Sequence, residues 1–85
     1  MRKTLTIELD ADSSALSYEL LGTEELAVKA GDGSATLYVN RAGCEVLAKI
    51  FAKMALGKYE AGFHIHMKEN FGEEPAQDAL TIVRR

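Results

Sequence analysis

The sequence predicts an α+β domain: a small antiparallel sheet of four to five strands with one amphipathic helix packed on one face. Two observations carry this. Several short segments alternate apolar and polar residues with the period of two that marks a half-buried strand. A single stretch, Arg41 to Leu56, instead repeats its apolar residues with helical spacing and is bracketed by capping residues. The expected order is β-β-β-α-β-β over residues 1–85 as a single domain, since half of such a chain could not bury an adequate core.

The first strand is expected at residues 3–9, where Leu5, Ile7 and Leu9 alternate with Thr4, Thr6 and Glu8. Asp10-Ala-Asp-Ser-Ser breaks that pattern. Ala15 to Leu21 reads as a strand that groups Leu16, Tyr18 and Leu20, or as one or two helical turns; the strand is preferred. Leu26 and Val28, then Ala35, Leu37 and Val39, flank Gly31-Asp32-Gly33, residues that tolerate positive φ, and this predicts a β-hairpin. Asn40 is placed to cap the helix, because its side-chain oxygen can accept from an unpaired first-turn amide, and Gly57 is placed to end it. The predicted apolar stripe is Cys44, Leu47, Ile50, Phe51, Met54 and Ala55, with Glu45, Lys49 and Lys53 on the solvated side. A strand over Gly62 to Lys68, an acidic loop over Glu69 to Asp78 and a last strand over Ala79 to Val83 complete the chain.

Composition excludes several functions. The 13 acidic residues outnumber 10 basic ones, and Lys and Arg gather only in the terminal pairs Arg2-Lys3 and Arg84-Arg85, read as solubilising ends. Nucleic acid is therefore not an expected partner. No apolar run approaches the roughly 20 residues of a membrane span, so no membrane partner is expected. Glu8 and Asp10 interrupt the basic, apolar start before it could act as a signal peptide. The lone Cys44 cannot form an internal disulfide, which suits a reducing compartment, and a cytoplasmic location is expected.

Both histidines lie in Gly62-Phe63-His64-Ile65-His66-Met67-Lys68. On a strand, Phe63, Ile65 and Met67 face one way and His64, His66 and Lys68 the other, so the imidazoles should be neighbours on one surface. If the helix covers the face of Leu5, Ile7, Leu37, Val39, Phe63, Ile65, Leu80 and Ile82, the uncovered face carries Thr4, Thr6, Tyr38, His64, His66, Lys68 and Thr81. That face, with the loop residues Glu69 and Phe71, is the expected partner-binding surface. The same loop can instead be solvated with Phe71 tucked beneath it.

Four other readings use the same residues. His64 and His66 can serve cross-strand pairing on a sheet face, hydrogen bonded to Thr, Tyr38 or an acid. Imidazoles two apart on a strand can share a zinc, nickel or copper ion, with Glu69, Glu8 or another subunit supplying further ligands. A histidine pair can also serve as general base and acid, although no phosphate loop, nucleophile elbow or paired carboxylate motif accompanies it. Finally, the open face can join two copies of the chain, a homodimer that buries the histidines. Cys44 reads as core packing, with a reactive thiol as its alternative. No enzyme activity and no cofactor are expected.

Asn40-Arg41-Ala42-Gly43 opening a core helix, then Gly62-Phe63-His64-Ile65-His66 and the closing strand Leu80-Thr-Ile-Val, resembles small predicted immunity proteins of bacterial polymorphic toxin systems. The resemblance spans residues 37–83. In that group a hairpin strand ends in Asn-Arg-x-Gly, a leucine-rich helix follows, and a Gly-x-His-x-His strand is often trailed by an acid. Here Lys68 precedes Glu69, and Cys44 stands for a bulkier apolar residue. The resemblance implies a small acidic protein that neutralises a toxin by binding it, without catalysis.

Overall fold

The computed structural model describes residues 1–13, 15–16, 18–73 and 75–85. The elements are β1 (Leu26–Gly31), β2 (Ser34–Val39), α1 (Arg41–Leu56), β3 (His64–Lys68), a three-residue 3-10 turn (Glu69–Phe71) and β4 (Asp78–Val83). Among the described residues the fold is α+β with one α-helix, as the periodicities predict. The single four- to five-stranded sheet is replaced by two antiparallel pairs, β1-β2 and β3-β4.

The β1-β2 hairpin closes on a two-residue turn, since Gly31 pairs with Ser34. Asp32 and Gly33 both take positive φ, 49° and 79°, which twists the chain in the sense that the flanking strands require. Helix α1 begins and ends where its caps predict: Asn40 Oδ1 accepts from the Gly43 amide and the Gly57 amide donates to the Lys53 carbonyl. Gly57 is needed for space rather than for a left-handed backbone, its φ being −73°. A Cβ there would lie 2.7 Å from the Lys53 carbonyl oxygen and 2.7 Å from the Tyr59 ring.

The core joins Leu26 of β1, Val46, Leu47, Ile50 and Met54 of α1, Met67 of β3 and Phe71, with Phe63, Ile65, Leu80 and Ile82 packed against it. The helix buries Gly43, Val46, Leu47, Ile50, Lys53 and Met54, so the stripe is rotated from the predicted one. Cys44 and Ala55 face solvent, and Phe51 is 49% exposed. Gly43 sets this rotation: a Cβ on it would stand 2.6 Å from the Glu25 carbonyl oxygen and 2.6 Å from Val39 Cγ2. Lys53, predicted to be solvated, is 8% exposed and donates to the Asp10 carbonyl. Its methylenes pack while its ammonium reaches a backbone oxygen.

Among the described residues neither expected strand upstream of β1 forms, and Ser17 of the second lies outside them. Residues 3–9 and the described part of 15–21 have no ladder partner, although Ile7, Leu9, Leu16 and Tyr18 are half-buried. Alternation records burial on one side; a strand also needs an adjacent edge to bond to, and neither segment meets one among the described residues. The chain instead turns into β1 through Glu24, whose carboxylate accepts from the Leu21 amide at 2.7 Å and the Gly22 amide at 2.9 Å. Those bonds hold the Glu24 pKa below its ordinary 4.5, the Leu21 bond most of all.

β1 runs close to β4 without joining it in a ladder. The amide of fully buried Leu26 donates to Asn70 Oδ1 at 2.9 Å, so a side chain takes the place of a bond between sheets. Asn70 and Phe71 both hold left-handed backbone, φ 53° and 55°. Phe71 is turned into the core, 5% exposed, with its ring edge-on to Tyr18.

Candidate functional site

In the β3-β4 register Ile65 faces Ile82 and Met67 faces Leu80, and these four residues point into the core. His64 faces Val83 and His66 faces Thr81 on the outer side, where all four are exposed. Strand alternation thus puts the imidazoles on one surface, with ring centroids 5.1 Å apart and planes at 83°.

The rings have light anchoring. His64 Nδ1 lies 3.2 Å from the Gly62 carbonyl oxygen, which can only accept, so Nδ1 carries the proton and Nε2 holds the lone pair in the neutral ring. His66 Nδ1 lies 3.1 Å from Thr81 Oγ1, a pairing that serves either tautomer. A register shift after Met67 sets Lys68 opposite Asp78, and Lys68 Nζ meets Asp78 Oδ1 at 2.7 Å. The Lys68 hydrogen bond, then its charge, holds the Asp78 pKa below the usual 3.8; the nearby His66 acts in the same direction.

Of the residues predicted for a binding surface, His64, His66 and Lys68 share the outer face of β3-β4, and Glu69 is exposed just beyond it. Tyr38 is exposed but belongs to the other hairpin, where Lys29 Nζ sits 5.6 Å from its ring centroid. Thr4 and Thr6 are not in a strand and share no sheet face with the histidines. Phe71 is in the core, as in the second of the two loop readings, and is withdrawn from the surface. For the metal reading, His64, His66 and Glu69 do not make a cluster: among the described residues no three His, Cys, Asp or Glu side chains gather as a metal site would require.

Asn40 and Gly43, two of the residues of the segment Asn40-Arg41-Ala42-Gly43, have structural duties here. Asn40 Oδ1 accepts from both Gly43 and Glu25 amides at 2.9 Å, and its Nδ2 donates to the Thr23 carbonyl at 2.8 Å. The segment locks the helix start to the approach to β1. Sequence reasoning missed Arg84, which was expected to be a solubilising end. Its Nε donates to the Met54 carbonyl at 2.9 Å and its Nη1 to the Tyr59 carbonyl at 3.2 Å, a cation at the end of α1. It also missed a groove of about 510 Å³ lined by Ile7, Leu9, Tyr18, Lys49 and Lys53, which shares no residue with the histidine face.

No family model, curated protein or solved structure matches the chain. Among the described residues no helix is long and apolar enough to cross a membrane.

Proposed function

We propose that the protein is a non-enzymatic binding module that engages a protein partner through the outer face of β3-β4, in the manner of a bacterial immunity protein. One observation supports this most. The fold uses Ile65 and Met67 on the inner side of β3, whereas His64 and His66 stand exposed outside, hydrogen bonded among the described residues to a backbone carbonyl and a threonine hydroxyl. Exposed imidazoles beside the Lys68-Asp78 pair offer both ring contact and hydrogen bonding to a partner, and binding would bury groups on which the core does not depend. The net charge of −3 favours a basic partner.

Retention of proteins from the source cell by the untagged chain, compared with a His64→Thr/His66→Thr double variant, tests the reading. Threonine keeps strand preference, so the variant folds while losing the imidazoles. Loss of a specifically retained protein from the variant supports the reading; equal retention removes this face from it.

A second reading is capture of a metal ion by the two imidazoles alone, without the third ligand of a built site: the carbonyl-bound Nδ1 of His64 leaves Nε2 to ligate, an orientation usual for metal-binding histidines. Zinc titration followed on the imidazole NMR signals separates the two. Joint saturation of both rings at one equivalent favours metal, and unchanged signals favour protein binding.

A further inference from the structure

The β1-β2 hairpin is exposed to a degree that a packed hairpin is not. Every residue from Lys29 to Tyr38 is exposed on both faces. Among the described residues its strands pair only with each other, and a two-stranded ribbon on its own is marginal in water. The molecule as a whole is also open. Its radius of gyration is 13.8 Å, against about 12 Å for a compact chain of this length. Its accessible surface is 6578 Å², whereas a compact monomer of 9.3 kDa exposes roughly 5,000 Å². Much of the hairpin and most of the described residues before β1 are exposed. A stable interface takes about 800 Å² from each partner, well within that surplus.

The outer edge of β2 is the place where more structure can be added. Ser34-Ala-Thr-Leu-Tyr-Val39 contains no charge and no proline, the devices by which open edges usually exclude another strand. Val28 faces Leu37, Leu26 faces Val39 and Ala30 faces Ala35, so one side of the hairpin is apolar from the core to the tip. Leu37 is nonetheless 43% exposed.

We propose that two copies of the chain pair antiparallel along β2, about a two-fold axis at Leu37, to make a four-stranded sheet β1-β2-β2-β1. The strand is complementary to itself in this register. A two-fold axis perpendicular to the sheet requires opposed residues to share a face, and centring on Leu37 sets Ala35 against the partner's Val39 and Thr36 against the partner's Tyr38. The apolar sides of both hairpins then form one surface, and Ala35 is carried to the rim of the other core. A strand without charge meets no repulsion from its own copy. This interface lies apart from the histidine face and leaves that face open, so it does not depend on the proposed function.

Sedimentation of the full chain at micromolar concentration tests the pairing together with two variants, Leu37→Lys and Leu37→Glu. Wild type is expected at twice the chain mass. Each variant places like charges opposite one another at the axis and weakens the dimer by about 30-fold or more. Mixing the two variants restores a dimer, because lysine then faces glutamate; this rescue also shows that both variants are folded. A monomeric wild type overturns the proposal, including the case in which the edge serves a different protein. Unchanged dimerisation of the single variants overturns it as well, since the interface then lies elsewhere.

Discussion

Asn40 makes three hydrogen bonds, and two of them leave the helix that it caps. Its replacement therefore releases more than a helix end. Asn40→Ala should cost about 2 kcal/mol in urea denaturation, at the upper end for a helix cap. Asn40→Asp keeps both acceptances, loses only the donation to Thr23, and should cost about half as much. Glu24 belongs to the same approach to β1 and gives the protein a pH dependence. Its folded pKa is depressed, so its contribution to stability is full above the unfolded value near 4.5 and is lost as pH falls through the lower folded value. The stability advantage of wild type over Glu24→Gln, followed by urea midpoints from pH 7 downward, should shrink below pH 4.5. An advantage that stays constant through that range contradicts the assignment.

At the scale of the element, α1 and the β1-β2 hairpin were legible because each is specified by local chemistry: Asn40 and Gly57 at the helix ends, Asp32-Gly33 at the turn. The rotation of α1 was not legible, since it depends on the close approach of Gly43 to Glu25 and Val39, residues that only the tertiary fold brings near. The outward histidines followed directly from alternation on β3. The same alternation over residues 3–9 failed, because pattern alone cannot supply a neighbouring strand. Arg84 was missed for a related reason: it acts on the Met54 carbonyl, 30 positions away in sequence. Arg84→Met should lower stability by about 1–2 kcal/mol, the cost of charge-assisted bonds to a half-buried helix end. Hydrogen exchange should localise the effect, with faster exchange in the last turn of α1 and unchanged protection near Asn40.

At the scale of the whole molecule, the chain divides its surfaces. One helix covers the inner faces of β3 and β4 and the start of β1, leaving the outer face of β3-β4 open at one place and the β2 edge at another. A small domain with so much exposed surface gains from association, and each open surface has a different character: imidazole and charge on one, neutral backbone edge on the other. The predicted partner surface becomes smaller than the sequence implied, without Phe71, and Tyr38 lies on the other hairpin. The central claim is that His64 and His66 serve binding rather than folding. The most direct measurement is parallel affinity capture with wild type and His64→Thr/His66→Thr, quantified by mass spectrometry, with urea denaturation of both chains. The account predicts nearly equal stability and at least a tenfold loss of one retained protein from the variant, a difference of about 1.4 kcal/mol. Equal retention, or a variant that unfolds because the histidines hold the hairpin together, would contradict it.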